Sequence, residues 1–429
     1  MTAPERLGAA EARRAIAAGR LTATALLEAC LERIAARDGA VAAWAFLDPG
    51  AARARARALD AGPDRGPLHG LPIGVKDIID THDQPAEYGS AIHAGHRPGR
   101  DSASVASARA AGAVVLGKTV TTEFANRRAG ATRNPLDAAR TPGGSSSGSA
   151  AAVADFQVPL ALGTQTGGSV LRPAAYCGVV GFKPSFGHLG NGGVRANTEA
   201  FDTVGLMARG VEDVALLHAA CLEIPFVPPG AAGIAAPRIA ICRTPHWDEA
   251  APGTHAAVTA AALAFARAGA VVGELDLPPC FAGLRAAHET VCSFEAPRNY
   301  ADELARAGHL VSADFLAGRV VPGGAVTLGE FRAALRLGRA CRARMDALME
   351  EHGVDVLLTP AAPGEAPRGL ADTGAATFNY LWTHLHMPCL TLPAGTGPAG
   401  MPLGVQLVAR RHEDAALLAV AAWAEAVLR

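Results

Sequence analysis

Three short segments carry side chains whose types and spacing could do chemistry. The first is "GLPIGVKDIID", residues 70–80, where Lys76 stands among Ile73, Val75, Ile78 and Ile79. Burying an ammonium is costly, so desolvation and a nearby positive dipole would lower the pKa of such a lysine and make it a base. A pair with Asp77 or Asp80 is the other reading. The second segment is "TPGGSSSGSAAA", residues 141–152. Its serines open a helix, where unpaired N–H groups and a positive end collect, and Ser145 or Ser146 could equally be an N-cap. Gly144–Gly148 formally matches G-x-S-x-G with Ser146 at its centre. That elbow needs a strand before it, and the preceding "NPLDAARTP" is polar and proline-broken. The phosphate-loop pattern GxxxxGK[ST] is absent.

The third segment is "LGTQTGGSVLRPAAYCGVVGFKPS", residues 162–185. Gly167 and Gly168 allow dihedrals that aim several N–H groups at one point. Thr166, Gly167, Gly168 and Ser169 could thus form an oxyanion hole with Ser169 as nucleophile. One such donor is typically worth about 3–4 kcal/mol in the transition state. A plain turn before a strand is the alternative. Elsewhere, Cys177 reads as a packed core thiol. His384 and His386, at i and i+2, lack a carboxylate or cysteine to complete a metal site. The eight cysteines form no CxxC pair and no zinc spacing, which suits reduced thiols in a cytoplasmic protein.

The elements that must position these residues follow a βαβ rhythm. Residues 5–37 read as two helices broken near Gly19, then a strand over 40–46, a helix over about 50–61 and a strand over 73–79. "SASVASARAAG" is a helix closed by Gly112 and "AVVLGKT" a buried strand. "VPLALGT", "CGVVGFKPS", "RIAICR", "AVVGELDLP", "VDVLLTP" and "PCLTLPAG" are further strands. Helices are expected over about 252–268 and 413–428, with a long helical region over 282–352. This points to an α/β core. Length alone allows two or three domains or one large unit, and the Pro/Gly patch over 228–237 could separate a core half from a peripheral half.

Lys+Arg 39 against Asp+Glu 40 gives a net charge of −1, so no global field favours nucleic acid or anionic lipid. Arg53, Arg55 and Arg57 fan around a helix and read as a solvated face. The first twenty residues lack a signal-peptide core, and no window approaches a membrane span.

Taken together, the segments resemble the amidase signature family of serine hydrolases. The likeness runs through "GLPIGVKD", "GKTVTTEFA", "NPLDAARTPGGSSSGSAAAVA", residues 162–187 and "FDTVGLMARGVEDVALL", with "MPCLTLPAG" and "PLGVQLVAR" later. It is dense over about 68–222 and weaker to the end. The resemblance implies a single domain over 1–429, an α/β/α sandwich around a large mixed twisted sheet, with a more variable part over about 230–352. It implies a Ser–Ser–Lys triad of Ser169 as nucleophile, Ser145 as bridge after a cis Gly144–Ser145 bond, and Lys76 as base, with Ser146 in support. Phe124, Phe378, Asn379 and Trp382 would line a substrate pocket. The implied activity is hydrolysis of a linear amide without metal or organic cofactor. An amidotransferase-type or accessory-subunit-dependent component, and an esterase, carbamate or urea-derivative hydrolase, are the alternatives. The expected partners are a small-molecule amide and either a second copy of the chain or a small accessory subunit, with no nucleic acid and no membrane. Two positions depart from the family pattern. Gln165 stands where Asp is common, and Leu171, followed by Arg172, stands where Arg is common.

Overall fold

The computed structural model describes residues 2–126, 128–230 and 236–429. The middle of the 228–237 patch lies outside the described residues. Eleven strands among the described residues build one sheet. In chain order they are β1 (Trp44–Leu47), β2 (Pro72–Lys76), β3 (Val114–Thr119), β4 (Leu160–Gln165), β5 (Val180–Lys183), β6 (Thr203–Ala208), β7 (Arg238–Arg243), β8 (Val271–Asp276), β9 (Val356–Pro360), β10 (Cys389–Thr396) and β11 (Pro402–Ala409). Their spatial order is β1-β3-β2-β4-β6-β5-β10-β11-β9-β7-β8. β2 runs parallel to β3 and β4, and β7 parallel to β8 and β9; the other pairings are antiparallel.

Alternation along the strands sorts side chains onto two faces, because successive Cβ atoms point opposite ways. Leu160, Leu162, Leu206, Ala208, Val405 and Leu407 pack with the helices Val211–Leu222, Pro252–Arg267 and Asp414–Leu428. The intervening Ala161 and Met207 pack instead against Ala150–Val153 of the helix Ser147–Ala154. Val408, Leu357, Ala240 and Cys242 meet Leu171, Cys341 and Met345 on that second side. Both faces of the sheet are therefore covered. Each Leu or Val so buried contributes about 1.5–3 kcal/mol. No described helix is long and apolar enough to cross a membrane.

Several expected elements differ. β6 and β11 are strands that the sequence pattern does not announce, and each carries a glycine that close packing demands. A Cβ at Gly205 would meet Val170 Cγ2 at 2.5 Å, and one at Gly404 would meet Ala175 Cβ at 2.9 Å. The segment after Ser169 is a helix, Leu171–Cys177, before β5 begins. The strand expected over 40–46 is shortened by the helix Ala23–Val41 and starts at Trp44. The strand expected to Ile79 stops at Lys76, where the N–H groups of Ile78 and Ile79 turn back to the Lys76 carbonyl. The long helical region is broken into Leu284–Asn299, Ala301–Ala307, short turns over 308–325 and Leu328–Glu351. The breaks fall at Tyr300, Gly308, Val311–Ser312 and Val326–Thr327, while Gly318, Pro322, Gly323 and Gly324 lie within the irregular helical run over 313–325.

The helix Ser147–Ala154 is buried almost throughout and lies tight on the chain beside β3. Gly148 donates its N–H to the Val120 carbonyl at 3.0 Å. A Cβ there would collide with the Ala43 carbonyl oxygen and the Val120 amide, both backbone atoms that cannot step aside. Gly148→Ala is therefore expected to destabilise the fold by about 2–3 kcal/mol, read as a lower urea midpoint at unchanged slope. A midpoint equal to the parent's would contradict this packing.

Candidate active site

The parallel pairing of β2 with β4 brings the first and third sequence segments to one place. Ile73, Gly74 and Val75 register with Leu160, Ala161 and Leu162, so both strands finish side by side. Parallel strands deliver their carboxyl ends to the same edge, where sites in such sheets form. Lys76, the last residue of β2, meets Thr164 near the end of β4. Its Nζ lies 2.7 Å from Ser145 Oγ, 2.7 Å from Thr164 Oγ1 and 3.4 Å from the Thr164 carbonyl. Lys76 is fully buried. Burial pushes its pKa well below the usual lysine value; Arg172 pushes the same way, and Asp202 opposes them. The carboxylates next to it in sequence are engaged elsewhere. Asp77 pairs with Lys118 at 3.3 Å, and Asp80 accepts from the Tyr88 hydroxyl at 2.9 Å.

The serine loop is held by its other hydroxyls. The Gly144–Ser145 peptide bond is cis. Ser146 Oγ accepts the Thr164 N–H and donates to the Thr164 carbonyl, each at 3.2 Å. It makes no side-chain cap to its own helix. Ser147 donates to the Val120 carbonyl and Ser149 to the Leu162 carbonyl. No strand precedes Ser146, so the elbow arrangement is not formed.

The loop over 165–169 follows β4 directly. Gln165 Oε1 accepts the N–H groups of Val170 and Leu171 at 2.9 and 3.1 Å, while its Nε2 donates to Thr383 Oγ1 at 3.0 Å. This closes the start of the helix Leu171–Cys177 and holds the two glycines in place. The Ser146 N–H bonds the Ser169 carbonyl at 3.2 Å, joining the two serine loops through backbone. Among the described residues, no acceptor takes the N–H of Gly167, Gly168 or Ser169, and Ser169 Oγ holds no hydrogen bond. The contact between the Ser145 and Ser169 hydroxyls is therefore not made here. A Cβ at Gly168 would meet Asn379 Oδ1 at 2.5 Å, which requires glycine there.

Thr166, Gly167, Gly168 and Ser169 line a cavity of about 340 Å³ together with Arg172 and, on the other side, His288. His288 stacks on Phe201 at 4.5 Å and is fully buried, which lowers its pKa to about 3 and keeps the ring neutral. Leu171 is buried among apolar side chains on the sheet's second face. Arg172 reaches the site instead, donating to the carbonyls of Gly374 at 2.7 Å and Gly144 at 2.6 Å.

Phe124, Phe378, Asn379 and Trp382, expected in the pocket wall, are fully buried and are not among its lining residues. Phe124 packs on Tyr300 and Phe315. Phe378 gives its carbonyl to Gln406, Asn379 donates to the Ala361 carbonyl behind Gly168, and Trp382 belongs to the apolar core. His384 is wedged against Gly338, and His386 bonds the Ala200 carbonyl at 2.9 Å.

Asp202 is the residue sequence reasoning passed over. It is fully buried, accepts Thr166 Oγ1 at 2.5 Å and the N–H groups of Asn197 and Thr198 at 2.7 and 3.0 Å, and burial raises its pKa to about 6. A lone aspartate before a strand has no spacing signature to betray it.

The chain is similar to known proteins along nearly its whole length. A family model described as Amidase matches residues 25–418. A glutamyl-tRNA(Gln) amidotransferase subunit from Chloroflexus aggregans (strain MD-66 / DSM 9485) is 35% identical, with 98% of this chain and 96% of the relative covered. A crystal structure of an amidase superposes with a TM-score of 0.90 at 31% identity, covering 99% of this chain and 100% of that one. A chain from a vestigial protein complex that bears on the origins of an s-triazine catabolic enzyme gives a TM-score of 0.89 at 31% identity, covering 98% of each.

Asp202 works against the desolvation of Lys76, so it holds part of the lysine's proton affinity. If the amine must be neutral to act, activity is lost as pH falls through its pKa. Asp202→Asn should lower that pKa and move the acidic limb of kcat/KM to lower pH. A pH–rate profile whose acidic limb stays fixed or moves up would count against it.

Proposed function

The chain belongs to the amidase family, and from that premise we propose that it hydrolyses a linear carboxylic amide to an acid plus ammonia or an amine, through an acyl-enzyme on Ser169. As a family member it acts on carbon–nitrogen bonds other than peptide bonds. The observation that carries the finer reading is a fully buried lysine that, among the described residues, has no carboxylate in ion-pair contact, its Nζ 2.7 Å from Ser145 Oγ. A neutral amine has two N–H bonds and one lone pair. The N–H bonds serve the Thr164 hydroxyl and carbonyl, and the lone pair accepts the Ser145 hydroxyl.

The proposed relay starts when the Ser169 hydroxyl turns toward Ser145; contacts of this kind often tighten only with substrate bound. Lys76 takes the Ser145 proton as Ser145 takes the Ser169 proton. Ser169 Oγ bonds to the amide carbon, and the carbonyl oxygen becomes an oxyanion facing the N–H groups of residues 166–169. The proton returns through Ser145 to the leaving nitrogen as the C–N bond breaks. Water then cleaves the ester by the same path.

A second reading is an amidotransferase component that releases ammonia from an amide for a partner. The 35% identity to an amidotransferase subunit over 96% of that relative favours it. Glutaminase activity that appears only on adding a partner would select this reading, and partner-independent turnover would select the first.

Ser169→Ala, Ser145→Ala and Lys76→Ala should each cut amide turnover by at least about 10³-fold while the protein stays folded. A fluorophosphonate probe should label the parent at Ser169 and leave Ser169→Ala unlabelled. Turnover of matched amides, carbamates, ureas and esters by the parent, scored against Ser169→Ala, sorts the substrate class. Parent-like turnover by Ser169→Ala would end the proposal.

A further inference from the structure

We propose that His188, His218 and Asp414 form a binding site for one divalent transition-metal ion of the zinc class, outside the cavity that Ser169 lines. The three come from separate elements: the loop after β5, the helix Val211–Leu222 and the first turn of the helix Asp414–Leu428. Their ligand atoms all lie within 4.8 Å of one another. None of the three lines the Ser169 cavity.

The donor set suits the ion. Two imidazoles and one carboxylate are characteristic ligands of zinc and its first-row neighbours. His188 Nδ1 stands 3.2 Å from Asp414 Oδ2. Two ligand atoms sharing a tetrahedral zinc are about 3.3 Å apart, from bond lengths of about 2.0–2.1 Å. His218 is 5% exposed, and its Nε2 has no hydrogen-bond partner. An unpaired ring nitrogen at such depth is costly unless something binds it.

The surroundings supply the supports that metal ligands ordinarily have. His188 Nε2 lies 2.9 Å from His412 Nδ1, so with Nδ1 on a metal the Nε2–H donates to His412. Ser185 donates its hydroxyl to Asp414 Oδ2 at 2.5 Å and its N–H to Oδ1 at 2.8 Å. Lys183, a buried cation that senses Asp414, spends an N–H on the Pro184 carbonyl at 2.9 Å. Among the described residues, the carboxylate takes its hydrogen bonds from Ser185 and none from Lys183. His188 is partly exposed, which gives the ion an entry path and leaves room for water as a further ligand. A bound ion would fasten the last helix to β5 and to the helix Val211–Leu222.

The test uses the full chain, stripped with chelator and titrated with CoCl2 and then ZnSO4. One Co²⁺ per chain with the intense visible bands of a four-coordinate site is expected, displaced by Zn²⁺, with a rise in melting temperature. His188→Ala, at a partly exposed position, should abolish the bands and weaken Zn²⁺ at least about tenfold. His218→Phe should do the same, and amide turnover by His188→Ala should stay within about twofold of the parent. Absence of a stoichiometric cobalt spectrum in the parent overturns the proposal. So does binding that survives both substitutions, which would belong elsewhere, for instance at the exposed His82 with the half-buried Asp83 and Asp101. If His218→Phe does not fold, His188→Ala decides alone.

Discussion

A buried amine denied a carboxylate is the constraint on which this molecule is organised. Lys76 and Lys118 make the point together. Both lie on adjacent parallel strands, both are fully buried, and burial lowers the proton affinity of both. Lys118 is compensated by Asp77 and by the Ile79 carbonyl at 2.7 Å. Among the described residues, Lys76 hydrogen-bonds only oxygens of Ser145 and Thr164, with Asp202 acting on it through space. The register pairs Lys76 with Thr119 and Val75 with Lys118, so strand alternation sends the two lysines to opposite faces. One charge is neutralised inside the sheet and the other is disfavoured beside a hydroxyl.

That difference demands exact backbone placement, and small residues supply it. Gly148 lets the serine-bearing helix lie on the chain beside β3. Gly163 performs the same service for Ser146, since a Cβ there would meet Ser146 Oγ at 2.8 Å. Parallel pairing brings β2 and β4 to the same edge. The two serine loops then meet through the Ser146 N–H to Ser169 carbonyl bond. Packing, register and chemistry are here one arrangement seen at three scales.

The sequence made some of this legible and hid the rest for physical reasons. Lys76 stood out because an ammonium in an apolar strand breaks a strong rule. The glycine pairs stood out because they break regular structure. β6 and β11 were hidden because Gly205 and Gly404 answer to neighbours on other strands and helices. Phe124, Phe378, Asn379 and Trp382 are placed by tertiary packing behind the cavity, which no local pattern reports. Asp202 acts on Lys76 through space, 126 positions along the chain. His188, His218 and Asp414 are likewise too dispersed for any ligand-spacing motif.

Gln165 has a consequence of its own. Its side-chain amide caps two backbone N–H groups and reaches Thr383 without carrying charge. An acid at that place would accept the same two bonds, but it would set a permanent negative charge behind the glycine pair and could not donate to Thr383. The amide itself adds no charge to the loop. The carboxylate beside that loop is Asp202, held by the Thr166 hydroxyl, while the Gln165 cap offers acidification no carboxylate to protonate.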